Sequence, residues 1–174
     1  MSTYGNKLYG LNDIKITNLA GTVQADLPVS QQLTLRTRVR SGELSGDDRL
    51  VAVAAFIEAA EWQLNAGGID LDALAIMVGN AVTVGGTSPN ETSTLTLSGG
   101  DNLPYFKIYG KSLGEGDDDL HVKLYKCKIT GNFEGTFQDG QFFVSNFGGI
   151  AVDDGVNGVV DVVQNETAAT LPAS

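Results

Sequence analysis

LTLRTRVR, residues 33–40, alternates at every position: Leu33, Leu35, Thr37 and Val39 fall on one side, and Thr34, Arg36, Arg38 and Arg40 on the other. A side-chain period of two is the mark of a strand, here with one basic face. The stretch SGELSGDDR (Ser41–Arg49) that follows is polar, acidic and Gly-containing, and a second apolar run, LVAVAAFIEAAEWQL (Leu50–Leu64), comes after it. The expected structure is a long hairpin with a prominent loop.

Outward from the hairpin, residues 69–79 predict the one helix. Asp70 can cap the free amides, Leu71, Leu74, Ala75 and Val78 share a face, and Gly79 supplies the stop. Its narrow apolar stripe fits packing on the flank of a sheet. Strands are expected at Ala81–Val84, Ser93–Leu97, Tyr105–Tyr109, Leu120–Ile129, Gly131–Phe137, Gln141–Phe147 and Val159–Val163, separated by Gly-, Asn- and Asp-rich turns. Asp139-Gly140 has the chemistry of a two-residue hairpin turn, and Asn157-Gly158 is a second such site. The fold class expected is mainly β: an antiparallel β-sandwich or partly open barrel with one short flanking α-helix. A single β domain over 1–164 and a flexible tail over 165–174 complete the organisation. An open sheet has edges, which must be blunted by charge or completed by another subunit.

The chain has 174 residues, 42% hydrophobic and 18% charged, enough apolar content for one packed core. A formal charge of -10 makes the surface repel phosphate and anionic lipid, which argues against adhesive nucleic-acid or membrane binding. Cys127 is the only cysteine, so no internal disulfide can form and zinc sites built on several thiolates are excluded. Met1–Gly10 lacks a charged-then-apolar pattern, and no run of about 18 apolar residues occurs, so a soluble cytoplasmic protein is expected.

Chemistry-bearing residues are few. His121 and Cys127 point to the same side of one strand, but six residues of strand span about 20 Å, far beyond hydrogen-bond reach. Gly110-Lys111-Ser112 has the tail of a phosphate-binding loop without its first glycine or its helix, and reads as an exposed hairpin loop. Glu115, Asp117, Asp118 and Asp119 lack the alternate spacing of a calcium loop and read as a solvated acidic turn, as do Asp47-Asp48 and Asp153-Asp154. Tyr105, Lys107, Tyr109 and Lys111 alternate as a half-exposed strand would. Arg36, Arg38 and Arg40 could pair with carboxylates across the hairpin or across a subunit contact, stand in solvent, or meet phosphates; Glu58, Glu61 and the acidic balance favour ion pairs. No catalytic residue, metal site or cofactor is implied.

The order of an opening Leu8-Tyr9-Gly10 strand, SGELSGDDRLVAV (Ser41–Val53), and a Glu61-Trp62-Gln63-Leu64 strand leading through Gly67-Gly68-Ile69-Asp70 into Leu71–Gly79 resembles the tail tube (major tail) proteins of tailed bacteriophages. The resemblance covers roughly Tyr4 to Gly86. It implies a structural virion subunit of a long non-contractile tail, forming hexameric rings that stack into a hollow tube. Such a tube conducts the tape measure protein and then double-stranded DNA without holding either. It further implies a virion-tail location after assembly in the host cytoplasm, with tape measure, tail terminator and distal tail proteins as partners. On this basis Arg36, Arg38, Arg40, Glu43, Leu44, Asp47, Asp48 and Arg49 are expected at inter-subunit or inter-ring contacts. Thr34, Glu58, Glu61 and Gln63 are expected to line the bore, with pairing to Glu58 or Glu61 neutralising the arginines there. The alternative is a monomeric β-sandwich module for carbohydrate or a cell surface, which would carry clustered exposed aromatics; a single Trp argues against it.

Overall fold

The structure is a computed structural model describing residues 7–27, 29–46, 49–68, 70–114, 116 and 118–171. In chain order the elements are β1 (Tyr9–Asn18), β2 (Gln24–Asp26), β3 (Ser30–Gly46), β4 (Arg49–Gly67), α1 (Leu71–Val78), β5 (Thr83–Gly85), β6 (Thr92–Thr94), β7 (Phe106–Leu113), β8 (Asp119–Ile129), β9 (Glu134–Gly135), β10 (Val144–Ala151) and β11 (Val160–Asn165). As the sequence predicts, the fold is mainly β with one short helix. A nine-stranded antiparallel sheet runs β2-β1-β7-β8-β10-β4-β3, with β11 added to β8 and β9 to β10, while β5 and β6 form a separate hairpin. The end strands β2 and β3 are not bonded to each other, so the sheet does not close into a barrel.

Strand β8 is the branch point. Its residues 119–124 pair with β11, and Cys127–Ile129 pair with β10. The sheet thereby folds over on itself, with β1 and β7 facing β3 and β4. Trp62 of β4 meets Phe106 of β7 edge-on, ring centroids 5.7 Å apart, and a Leu33 methyl lies 3.0 Å from where a Cβ on Gly110 would stand. The period-two pattern sorts the side chains: Ala60, Trp62, Leu64 and Ala66 are buried, while Glu61, Gln63 and Asn65 alternate away from the core. Ile14, Ile16, Ile108, Leu124 and Phe147 complete the interior. Each large apolar side chain so buried contributes about 2 kcal/mol.

The helix begins and ends where its caps predict. The Asp70 carboxylate accepts from the amides of Asp72 and Ala73, and Gly79, at φ 81°, donates its amide to the Ala75 carbonyl. The buried face is wider than the expected stripe. Ala73, Leu74, Ile76, Met77 and Val78 are buried, with Leu71 and Ala75 only partly so. Packing against β1, β2 and β8 at once is the reason.

Several boundaries move. Ser41–Arg49 is not a prominent loop: the ladder continues through Gly46 and resumes at Arg49. Gly110-Lys111-Ser112 is not a loop either, because β7 runs on to Leu113, paired on both sides by β1 and β8. The strands expected over 81–84, 93–97 and 131–137 shrink to short pieces. Gly140 adopts φ 75° in a turn at Gln138–Gln141, but only Glu134–Gly135 pairs with β10. Ring contacts of Phe133 with Phe147 and Phe137 with Phe143 replace the ladder there.

Candidate functional site

The outer half of the β3–β4 hairpin leaves the body of the molecule. Pairing of β4 with β10 stops at Ala60, so from Arg49 to Ala59 the hairpin is a two-stranded ribbon with no further strand on either edge among the described residues. Both faces stay exposed as well: Val39 is 55% exposed, Leu44 62%, Phe56 58% and Ile57 58%, and Leu50, Val51 and Val53 are similar. A lone hairpin is marginal in water, and scattered apolar residues are normal on a surface whereas a contiguous group of this kind marks an interaction site.

The register divides the ribbon into two unlike faces. Val39 stands opposite Ile57, Glu43 opposite Val53 and Ser45 opposite Leu50, which makes one face mainly apolar. The other face carries Thr34 opposite Gln63, Arg36 opposite Glu61, Arg38 opposite Ala59, Arg40 opposite Phe56, Leu44 opposite Ala52, and Gly46 opposite Arg49. A shift of register between Arg38 and Val39 leaves Glu58 as the extra residue of a bulge, turned toward the arginine face. The expected ion pairs form: the Arg38 guanidinium donates to Glu61 at 3.1 Å, and Arg40 lies 4.0 Å from Glu58. Arg36 and Arg49 have no carboxylate within 4 Å among the described residues. At the base, Thr34, Arg36, Gln63, Asn132, Glu134 and Asn146 line an open polar groove of about 590 Å³, across which the Gln63 amide donates to Asn146.

Of the residues singled out by sequence, Arg36, Arg38, Arg40, Leu44 and Arg49 therefore share one face with Thr34, Glu58, Glu61 and Gln63. Glu43 is on the apolar face. Asp47, Asp48, Glu115 and Asp117 lie outside the described residues.

A second polar constellation is one that sequence reasoning missed. Asp119, expected in a solvated turn, is fully buried at the start of β8. Its carboxylate accepts from Asn165 Nδ2 at 2.6 Å and the Ala169 amide at 2.7 Å, with Lys111 Nζ at 3.2 Å and His121 Nε2 at 3.0 Å. Lys111 also donates to the Ala169 carbonyl. Burial alone pushes the Asp119 carboxyl up; the four donors more than reverse this and hold it at about 2. The expected common side holds for His121 and Lys123 but not for Cys127: β8 takes up an extra residue between Leu124 and Cys127, opposite Ile108 and Phe106, which turns Cys127 to the Leu124 side, away from His121. Alternation along one strand is also silent on its neighbours, since Lys111 comes from β7 and Ala169 from the C-terminal stretch. His121 has no nucleophile in this cluster. Cys127 is buried beside Leu124, and burial raises its thiol. The stretch 165–171, expected to hang loosely, is held at Asn165 and Ala169, and Leu171 is buried; residues 172–174 lie outside the described residues.

Tyr105, expected on the half-exposed alternation, sits under the Lys126 and Lys128 ammonium groups at 5.2 and 5.1 Å, whereas Tyr109 is buried. Phe137 and Phe142 are 83% and 97% exposed at the tip of the Glu134–Val144 segment. Among the described residues no helix is long and apolar enough to cross a membrane. Comparison of the sequence with protein-family models and with curated proteins finds no match.

Proposed function

We propose that this chain is a structural subunit that associates with copies of itself through the β3–β4 ribbon, as a tail tube protein of a long-tailed, non-contractile phage. The observation that carries the proposal is the ribbon: seven large apolar side chains, Val39, Leu44, Leu50, Val51, Val53, Phe56 and Ile57, stand on its two strands with neither face nor outer edge covered among the described residues. A neighbouring copy would supply the missing strand partners and bury those side chains. A contact between unlike surfaces, repeated around an axis, closes into a ring when the rotation allows; the resemblance to tail tube proteins makes that ring hexameric. Stacking requires a separate contact, for which the far end of the ribbon and the exposed Phe137 and Phe142 are available.

A ring built from chains of formal charge -10 resists adhesion of polyanions, the property a DNA conduit needs. Pairing of Arg38 with Glu61 and Arg40 with Glu58 supports this, because it neutralises two cations locally that could otherwise hold a phosphate. The proposed role is mechanical, with no catalytic residue and no cofactor, in a virion tail assembled in the host cytoplasm alongside tape measure, terminator and distal tail proteins.

The test is the mass in solution. Light scattering of the purified chain at rising concentration should report oligomers, and Val53→Ser with Phe56→Ser should return monomers with unchanged far-ultraviolet circular dichroism. Equal masses for the two proteins would remove the ribbon from the account.

A further inference from the structure

All four arginines of the chain, Arg36, Arg38, Arg40 and Arg49, lie on the β3–β4 hairpin and on the same one of its two faces, Arg36 at the base of the ribbon and the others on it. Elsewhere every cation is a lysine or the single histidine. The hairpin's own acids outnumber these arginines by one, so nearly all of the formal -10 resides on the rest of the chain. Exposed carboxylates there, including Glu134, Asp139 and Asp153, have no cation within 4 Å among the described residues. Arginine differs from lysine in offering a planar, weakly hydrated fork of donors suited to carboxylates across an interface.

We infer that the arginine face of the ribbon docks on the acidic body of a second copy of this chain, with Arg36 and Arg49 as its intermolecular cations. This rests on the self-association proposed above and specifies which face meets which surface. Arg38 and Arg40 are already engaged within the chain, so they set the shape and partial neutrality of the face. Arg36 and Arg49, near its two ends, remain to be satisfied from outside. The charge distribution selects the occupant: the body of a copy is acidic and at fixed stoichiometry, and burying the face there leaves no uncompensated cations for a passing polyanion. Thr34, Glu58, Glu61 and Gln63 share this face and move with it, from the expected bore lining to the subunit contact. The apolar face supplies affinity, and the arginine face supplies register and salt dependence.

Association of the wild-type chain, Arg36→Gln with Arg49→Gln, and Arg36→Lys with Arg49→Lys is to be measured by analytical ultracentrifugation from about 0.05 to 0.5 M NaCl. The wild type should weaken as salt rises. The Gln pair should associate about tenfold more weakly at low salt, with a nearly flat salt response, and the Lys pair should keep most of the slope. Neither Arg36 nor Arg49 has an ion pair to lose among the described residues, so unchanged thermal unfolding of all three proteins is part of the expected result. Strong association indifferent to both salt and the Gln pair overturns the inference and leaves ribbon assembly standing. A wild type monomeric at every concentration overturns both. Binding of duplex DNA at about 0.15 M salt, lost in the Gln pair, assigns the face to phosphate and likewise overturns it.

Discussion

Asp119 is fully buried and gathers four donors, yet in the sequence it is one of four acids, Glu115, Asp117, Asp118 and Asp119. Glu115 to Asp119 reads as one solvated turn because sequence spacing cannot reveal that the last of the group is carried into β8, beneath Lys111 of β7 and against the C-terminal stretch. A buried carboxylate stripped of its charge or acceptor capacity strands its donors. Asp119→Asn should therefore lower the unfolding free energy by about 3 kcal/mol at neutral pH, read as a fall in urea midpoint. The sign with pH follows from the depressed carboxyl. Its contribution is fully present above the ordinary carboxylate value of 3.8 and is lost as pH falls through about 2. The gap between wild type and variant should be constant from pH 7 to about 5 and close progressively below about 4; a gap that widens on acidification contradicts the assignment.

The helix and the hairpin show opposite limits of local reading. Asp70 and Gly79 both act where their chemistry places them, because caps are decided within one turn of chain. Gly79 is at φ 81°, and a Cβ there would sit 3.0 Å from the Pro104 ring, so Gly79→Ala should cost about 1 kcal/mol or more in thermal unfolding, while Gly99→Ala, with open space around it, should cost less. The arginine face of the hairpin was equally plain, since alternation is local. Ser41–Gly46 reads as a loop for the same reason: Gly, Ser and Glu are poor strand formers, and only pairing with Ala52–Ala55, Leu50 and Arg49 across the ribbon holds them extended. The phenylalanine-rich segment from Phe133 to Phe143 looked like two strands by composition, yet ring packing took precedence over ladder pairing. The polar groove at the ribbon base joins β3, β4 and β10 with the loop before β9, and no single stretch announces it.

The assembled fold is a sandwich whose body packs around one core and whose longest hairpin extends beyond it. Inside the body, strand alternation buries Ile14, Ile16, Trp62, Leu64, Ile108 and Leu124 around one core. On the ribbon the same alternation continues with nothing to bury against among the described residues, and the proposed second copy is what would cover it. The most direct measurement is electron microscopy of the purified wild-type chain across a concentration series. Annular particles that stack into hollow tubes, absent from the Val53→Ser, Phe56→Ser protein, are the predicted result. Isolated single-chain particles at every concentration, with the ribbon still bare, would contradict the account.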